Sequence, residues 1–236
     1  MPYPTTPDAP ALDIRSLRFR YPDQSAGAWT VAVDALALRR GEQVLLTAGS
    51  GRGKSTLLHL IAGLMDPAEG DIRVAGESIN RLPPRQRDLH RGRTIGMIFQ
   101  TFNLLHGFSA LENVMAAMMF SAIPPREHRP RALALLKHLG IDRPDADPDR
   151  LSVGQQQRVA VARAVACDPV LLLADEPTAS LDPENASGAI ELIRAVAREK
   201  NAALLCVSHD PAMKDHFERR ITLEELAGNT PQPASA

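Results

Sequence analysis

The chain has 236 residues, with 27 lysines and arginines against 28 acidic residues and a formal net charge of −1. That length buries one substantial core with at most an attached subdomain, and the balanced charge gives no reason to expect nonspecific nucleic-acid binding. Two cysteines, Cys167 and Cys206, form no Cys-x-x-Cys pair, so a disulfide framework or cysteine zinc site is not expected and a reducing cytoplasm fits.

Met1–Pro10 is polar and proline-rich, with no secretory signal pattern. Residues 1–11 and 229–236 are expected to be disordered tails around a folded unit over 12–228. Ile14–Tyr21 and Val31–Leu38 alternate apolar and polar residues, as half-buried antiparallel strands do. Val44–Thr47, Ile95–Phe99, Val170–Ala174 and Ala203–Ser208 are short, nearly continuous apolar runs. Such runs suit strands of a parallel sheet covered on both faces. Helical spacing marks Ser55–Leu64 and Glu184–Glu199, and in the second Ile190, Ile193 and Val196 share one stripe. Over 103–149 the character changes. Leu111–Met119 and Arg131–Leu139 read as helices, the second with Leu133, Leu136 and Leu139 on one face and Gly140 ending it. With prolines at Pro124, Pro125, Pro130, Pro144 and Pro148, this stretch reads as a helical insertion between core segments 12–102 and 150–228. The longest apolar stretches, Leu57–Met65 and Val114–Phe120, are too short to span a bilayer, so no direct membrane insertion is expected.

Directly after the strand at Val44–Thr47 comes Ala48, then Gly49, Ser50, Gly51, Arg52, Gly53, Lys54, Ser55 and Thr56. A strand entering a glycine-rich turn that opens a helix presents backbone N–H groups and the positive helix end to one small volume. That nest suits a chain of phosphates. Lys54 can reach the outer ones, and the Ser55 hydroxyl can ligate Mg²⁺. Ala48 stands where the consensus phosphate loop has its first glycine; alanine is tolerable there with negative φ and harmful with positive φ. Val170–Glu176 is a second strand, ending in two adjacent carboxylates. In phosphoryl-transfer sites the first such acid, Asp175, helps hold Mg²⁺, and the next, Glu176, orients a water for in-line attack. Ligands gather at the carboxyl ends of strands in open α/β sheets, and four candidate strands here end in residues suited to phosphate chemistry.

Lys54-Ser55, Asp175-Glu176 and the segment Leu151-Ser-Val-Gly-Gln-Gln-Gln-Arg158 together resemble the nucleotide-binding subunit of an ABC transporter. The resemblance runs from about Leu12 to Leu226. It implies a P-loop NTPase (RecA-like) core with a mostly parallel sheet, an N-terminal antiparallel β subdomain and an inserted α-helical subdomain. It implies ATP and Mg²⁺ as ligands. Tyr21 would stack on adenine, Gln100 would reach Mg²⁺ or the attacking water, and His209 would bond the γ-phosphate and keep Glu176 and the water aligned. Ser152, Gly154 and Gln155 open a helix and would meet the γ-phosphate held by a second copy, with Asp182 bridging the two sites. Val153 departs from the family signature, which has a glycine there. A homodimer sandwiching two ATP molecules follows. So does an integral membrane permease, a short helix of which enters a groove that Phe102, Leu104, Leu105 and Phe108 are expected to line.

Ser55–Leu64, Ile95–Gln100, Ala110–Val114 and Leu173–Thr178 are most similar to the lipoprotein-releasing and macrolide-efflux group. That likeness implies ATP hydrolysis at the cytoplasmic face of the inner membrane, driving export or extraction of a substrate from the bilayer. The ATPase of an amino-acid-type importer and a cell-division-type signalling ATPase are the alternatives. No extra regulatory domain is expected after His209.

Overall fold

A computed structural model describes residues 9–22, 29–49 and 53–228. In chain order its strands are β1 (Leu12–Phe19), β2 (Val31–Leu38), β3 (Gln43–Thr47), β4 (Glu69–Val74), β5 (Glu77–Ser78), β6 (Ile95–Ile98), β7 (Leu171–Asp175), β8 (Ala203–Val207) and β9 (Arg219–Thr222). The helices are α1 (Lys54–Ile61), α2 (Pro84–Thr94), α3 (Ala110–Met118), α4 (Pro125–His138), α5 (Val153–Val165), α6 (Pro183–Glu199) and α7 (Leu223–Leu226). No helix among the described residues is long and apolar enough to cross a membrane.

Two sheets form, and the sequence pattern explains each. The first is antiparallel, in the order β2-β1-β4-β5, with Leu12 opposite Leu38 and Phe19 opposite Val31. Its buried residues break strict alternation in β2, between Val33 and Leu36, and in β1, which buries Ile14 and then Leu17. Ser16 between them has φ 49, and the β1–β4 register shifts between Arg15 and Arg18. A bulge of this kind turns the following side chains back to the core.

The second sheet runs β6-β7-β8-β3-β9, and all its pairs are parallel. Its strands are apolar on both faces because each face has its own cover. Leu171 and Leu173 of β7 join the core that holds α1 and the antiparallel sheet. Leu172 and Ala174, one residue out of step, join the core of α3, α4, α5 and α6. Each fully buried leucine contributes roughly 1.5–3 kcal/mol. Ile190, Ile193 and Val196 form the buried stripe of α6 against that second core.

Between β6 and α5, helices α3 and α4 pack on α5 through Val114, Met118, Leu136 and Val159. A capping box between Ser109 and Glu112 starts α3. Gly140, at φ 71, ends α4, with Ile141 N–H donating to the Leu136 carbonyl at 2.9 Å. Asn113 is fully buried; its side chain bonds both the N–H and carbonyl of Leu105 and the carbonyls of Phe108 and Ser109, fixing that loop. At the other end of the insertion, Arg131 of α4 donates to the Ala166 carbonyl at 2.7 Å and pairs with Asp168. Lys200, just past α6, reaches the same carboxylate at 3.1 Å.

Several expectations need correction. α4 begins at Pro125, six residues before Arg131, and carries Pro130 inside it; Leu133 on its expected face is only partly buried. β4, β5, β9, α2 and α7 are additions. Phe102 and Leu104 are largely buried in the core but also line a concavity with Thr101, His106 and Asp149, whereas Leu105 and Phe108, 43% and 47% exposed, are not part of its wall. Ala11, assigned to the leading tail, is buried, and its carbonyl accepts from Ala75 N–H at 3.1 Å. The rest of that tail up to Asp8, and the tail over 229–236, lie outside the described residues.

Candidate active site

Four neighbouring strands, β6, β7, β8 and β3, carry their carboxyl ends to one edge of the parallel sheet. Ser50, Gly51 and Arg52 of the phosphate loop lie outside the described residues. Gly49 and Gly53 bracket them. Gly53 caps α1 with φ 87, and a Cβ added there would stand 2.4 Å from the Thr30 carbonyl oxygen, so only glycine fits. Ala48 is not among the residues with positive φ, and its departure from the consensus costs no backbone strain.

Lys54, the first residue of α1, is buried and donates from Nζ to the carbonyls of Ala48 at 3.0 Å and Gly49 at 3.1 Å. Its Nζ also lies 3.7 Å from Glu176 Oε1. Ser55, next on α1, is exposed. Thr56 Oγ1 is 3.0 Å from the Tyr21 hydroxyl, so Tyr21, two residues past β1, is tied to the phosphate-loop helix. The Tyr21 ring meets Phe19 edge-on at 5.1 Å and is 38% exposed.

Glu176 is the most constrained side chain of the site. It is buried, its backbone holds φ 45, and its N–H donates to Val207 of β8 at 2.9 Å. Positive φ in a non-glycine residue is strained backbone of the kind that collects at active sites. Ser208 Oγ donates to Oε2 at 3.0 Å, His209 N–H donates to Oε2 at 3.2 Å, and His209 Nδ1 is 2.7 Å from Oε1. Three groups from the end of β8 thus aim one carboxylate from β7. Asp175, one residue earlier, leaves its buried Oδ1 without a hydrogen-bond partner. An orphaned carboxylate oxygen here fits a hard divalent cation. Burial, reinforced by the nearby carboxylates of Glu176 and Asp175, pushes the Cys206 thiol well above its ordinary range. Cys206 stays a protonated core residue.

Gln100 lies two residues beyond β6 and is exposed. Its carbonyl accepts from Ser180 Oγ at 2.9 Å, which ties the Gln100 loop to the turn after Glu176. Gln157 Nε2 of α5 donates to Pro177 at 3.3 Å and holds that turn from the other side.

A second cluster sits at the starts of α5 and α6. Ser152 and Gln155 form a reciprocal capping box, with Gln155 N–H to Ser152 Oγ at 3.3 Å and Ser152 N–H to Gln155 Oε1 at 3.0 Å. The helix start is thereby fixed, and the Ser152 hydroxyl proton stays free for an anion. Val153 is 49% exposed at the first helical position, where glycine is not required. Gly154 has open space where a Cβ would stand. Asp182 caps α6 through Asn185 N–H at 3.0 Å. Ser152, Gly154, Gln155, Ser180 and Asp182 line one concave surface. Among the described residues, no hydrogen bond or ion pair joins Ser152, Gly154 or Gln155 to Lys54 or Glu176.

The fold therefore brings Lys54, Asp175, Glu176 and His209 together, with Tyr21 beside them, and sets the Ser152 cluster apart. Ser208 is the functional residue that sequence reasoning missed. Its only signal is its place before His209 at the end of a buried strand.

A family profile described as ABC transporter matches residues 33–179. The Pseudomonas syringae pv. tomato lipoprotein-releasing system ATP-binding protein LolD is 38% identical over 218 residues, which are 92% of this chain and 96% of that protein. An uncharacterized ABC transporter ATP-binding protein of Thermotoga maritima is 44% identical over 176 residues, 74% of this chain and 75% of its own. Among solved structures, the dimeric post-hydrolysis state of the ATP-binding cassette MJ0796, bound to ADP and Pi, has a TM-score of 0.78 at 33% identity, covering 89% of this chain and 93% of that one. The chain belongs to the ABC transporter family, as a nucleotide-binding, ATP-hydrolysing cassette with the P-loop α/β fold and a LolD-like sequence.

Proposed function

We propose that two copies of the chain close face to face around two Mg-ATP, each copy supplying half of either site, and that hydrolysis drives a separate membrane permease. The observation carrying this reading is the split between two clusters in one chain. Lys54, Asp175, Glu176 and His209 lie together, and on this reading they need a further group to close over the terminal phosphate. The capped start of α5, open at Gly154, offers such a group on another surface. The dimeric MJ0796 cassette with ADP and Pi supports the arrangement by likeness.

Each residue then has a task. Tyr21 packs on adenine. Gly49, Ser50, Gly51, Arg52, Gly53, Lys54, Ser55 and Thr56 cradle the phosphates, with Lys54 exchanging its loop carbonyls for phosphate oxygens. Ser55, Gln100 and Asp175 hold Mg²⁺, which neutralises phosphate charge when bound. Glu176 accepts a hydrogen bond from the attacking water and orients it. His209, already bonded through Nδ1, presents Nε2 to the γ-phosphate. Ser152, Gly154 and Gln155 meet that phosphate from the second copy, and Asp182 links the two sites.

Residues 12–228 would form the ATPase domain, with 103–149 as its helical subdomain. The groove walled by Phe99, Ala117 and Phe120 beside β6 is the proposed seat of a permease helix. The LolD-like sequence supports export or extraction of a substrate from the membrane, with this subunit at the cytoplasmic face of the inner membrane. Glu176→Gln tests the catalytic assignment. Nucleotide affinity should stay within about twofold of wild type while phosphate release falls at least ~100-fold. Lys54→Ala should weaken nucleotide binding itself. Wild-type turnover in Glu176→Gln would overturn the reading. A membrane protein that copurifies with the chain would identify the permease.

A further inference from the structure

Gln100 is followed at once by a strained turn. Phe102 and Asn103 are consecutive non-glycine residues with φ 57 and 47. Left-handed backbone is strained for Phe102 and less so for Asn103, since asparagine visits that region more readily, and such strain persists only where surroundings enforce it. Inside the loop, Asn103 N–H bonds the Thr101 carbonyl at 2.6 Å and Thr101 Oγ1 donates to Asn103 Oδ1 at 2.8 Å. Outside the loop, one side chain bonds the carbonyls of both strained residues. Arg163, in the last turn of α5, donates from Nη1 to the Asn103 carbonyl at 2.5 Å and from Nη2 to the Phe102 carbonyl at 2.6 Å.

Arg163 is an expensive way to make two hydrogen bonds. No carboxylate lies within salt-bridge distance of it among the described residues, and burial pulls its guanidinium below its ordinary range. A partly buried cation balanced only by carbonyl dipoles is retained against a desolvation cost. Its planar fork matches two adjacent carbonyls as no other side chain would. Arg163 also touches the groove at Phe99, Ala117 and Phe120, where Gly96 lets β6 press against α5: a Cβ there would stand 2.1 Å from the Ala164 carbonyl. On the far side, Ser180 holds the Gln100 carbonyl.

The geometry points to Arg163 as a positioning residue that holds the Gln100 loop in its catalytic register. The inference rests on the proposed role of Gln100 and adds to it the group that enforces its position. The fork spans from the α5 helix, whose other end carries Ser152, to the loop that would reach Mg²⁺. Loss of the fork releases the strained turn and lets Gln100 wander, while Lys54 and its loop stay intact.

The test is a double-mutant cycle on the full chain, with phosphate release measured against ATP and against Mg²⁺. Arg163→Ala should lower kcat roughly tenfold, leave KM for ATP within about twofold, and raise the Mg²⁺ concentration for half-maximal turnover. Arg163→Ala combined with Gln100→Ala should be no slower than Gln100→Ala alone, because both act through one group. Arg163→Lys, which supplies a point donor in place of a fork, should recover only part of the loss. It also replaces Arg163→Ala in the cycle if that variant fails to fold. Unchanged kcat, or losses that multiply in the double variant, would overturn the inference and leave the Gln100 assignment standing. Wild-type turnover in Gln100→Ala would instead remove the role of Gln100, and the inference with it.

Discussion

His209 grips Glu176 with two separate atoms: ring Nδ1 stands 2.7 Å from Oε1, and the main-chain N–H donates to Oε2 at 3.2 Å. Only the ring contact depends on the side chain. His209→Ala should therefore leave the carboxylate in place and still lower phosphate release about 100-fold. Ser208→Ala removes one of three donors and should cost only severalfold in turnover. ATP titration of both variants should show affinities close to wild type. Equal losses in the two would mean that the ring does no more than hold the acid.

Gly53 and Ala48 should respond in opposite ways to exchange of their residue types. Gly53→Ala forces a Cβ to 2.4 Å from the Thr30 carbonyl at φ 87. The substitution should cost at least ~1–2 kcal/mol and abolish tight nucleotide binding. Ala48→Gly restores the consensus where no positive φ asks for it. It should leave KM within about twofold and lower stability by about 0.4–1 kcal/mol through the unfolded chain. Thermal unfolding and nucleotide titration read both.

Asp168 gives the junction between α4 and the core a pH dependence. Burial alone would raise its carboxyl, but Arg131 and Lys200 hold it below its ordinary value. A depressed carboxylate stabilises the fold above its unfolded pKa of about 3.9 and loses that contribution as pH falls through the lower folded value. Its side chain is 53% exposed, so screening leaves roughly 0.5 kcal/mol. Asp168→Asn should be less stable than wild type by that amount at pH 7, and the gap should close as pH falls below about 4. A gap of constant size across that range in urea melts would contradict the ion-pair account.

Much of this was legible in the residues, for identifiable reasons. β3, β6, β7 and β8 announce themselves because a sheet covered on both faces needs uninterrupted apolar runs. The phosphate loop and the acid pair are chemistry written in consecutive residues. Elements whose stability comes from elsewhere stayed hidden. α2 buries only His90 and is otherwise nearly all polar, so it shows no apolar stripe. β4 starts with exposed residues and is held by β1, and the two-residue β5, with no buried residue, is held by β4. Pro130 reads as a break, yet α4 runs through it once started by Pro125. Phe102 and Leu104 are apolar loop residues, and nothing local says whether such residues face a groove or a core. The contacts of Ser208 and Arg163 cross long sequence separations, 32 residues to Glu176 and 60 to Asn103, which no spacing rule reaches.

The central claim is that one copy's Ser152 and Gly154 complete the phosphate site built by Lys54 and Glu176 of another. A structure of Glu176→Gln trapped with Mg-ATP measures this directly. The account predicts two copies related face to face, with the Ser152 hydroxyl within hydrogen-bond distance of the terminal phosphate held by the other copy's Lys54. A nucleotide-filled structure with Ser152 remote from every terminal phosphate would contradict it.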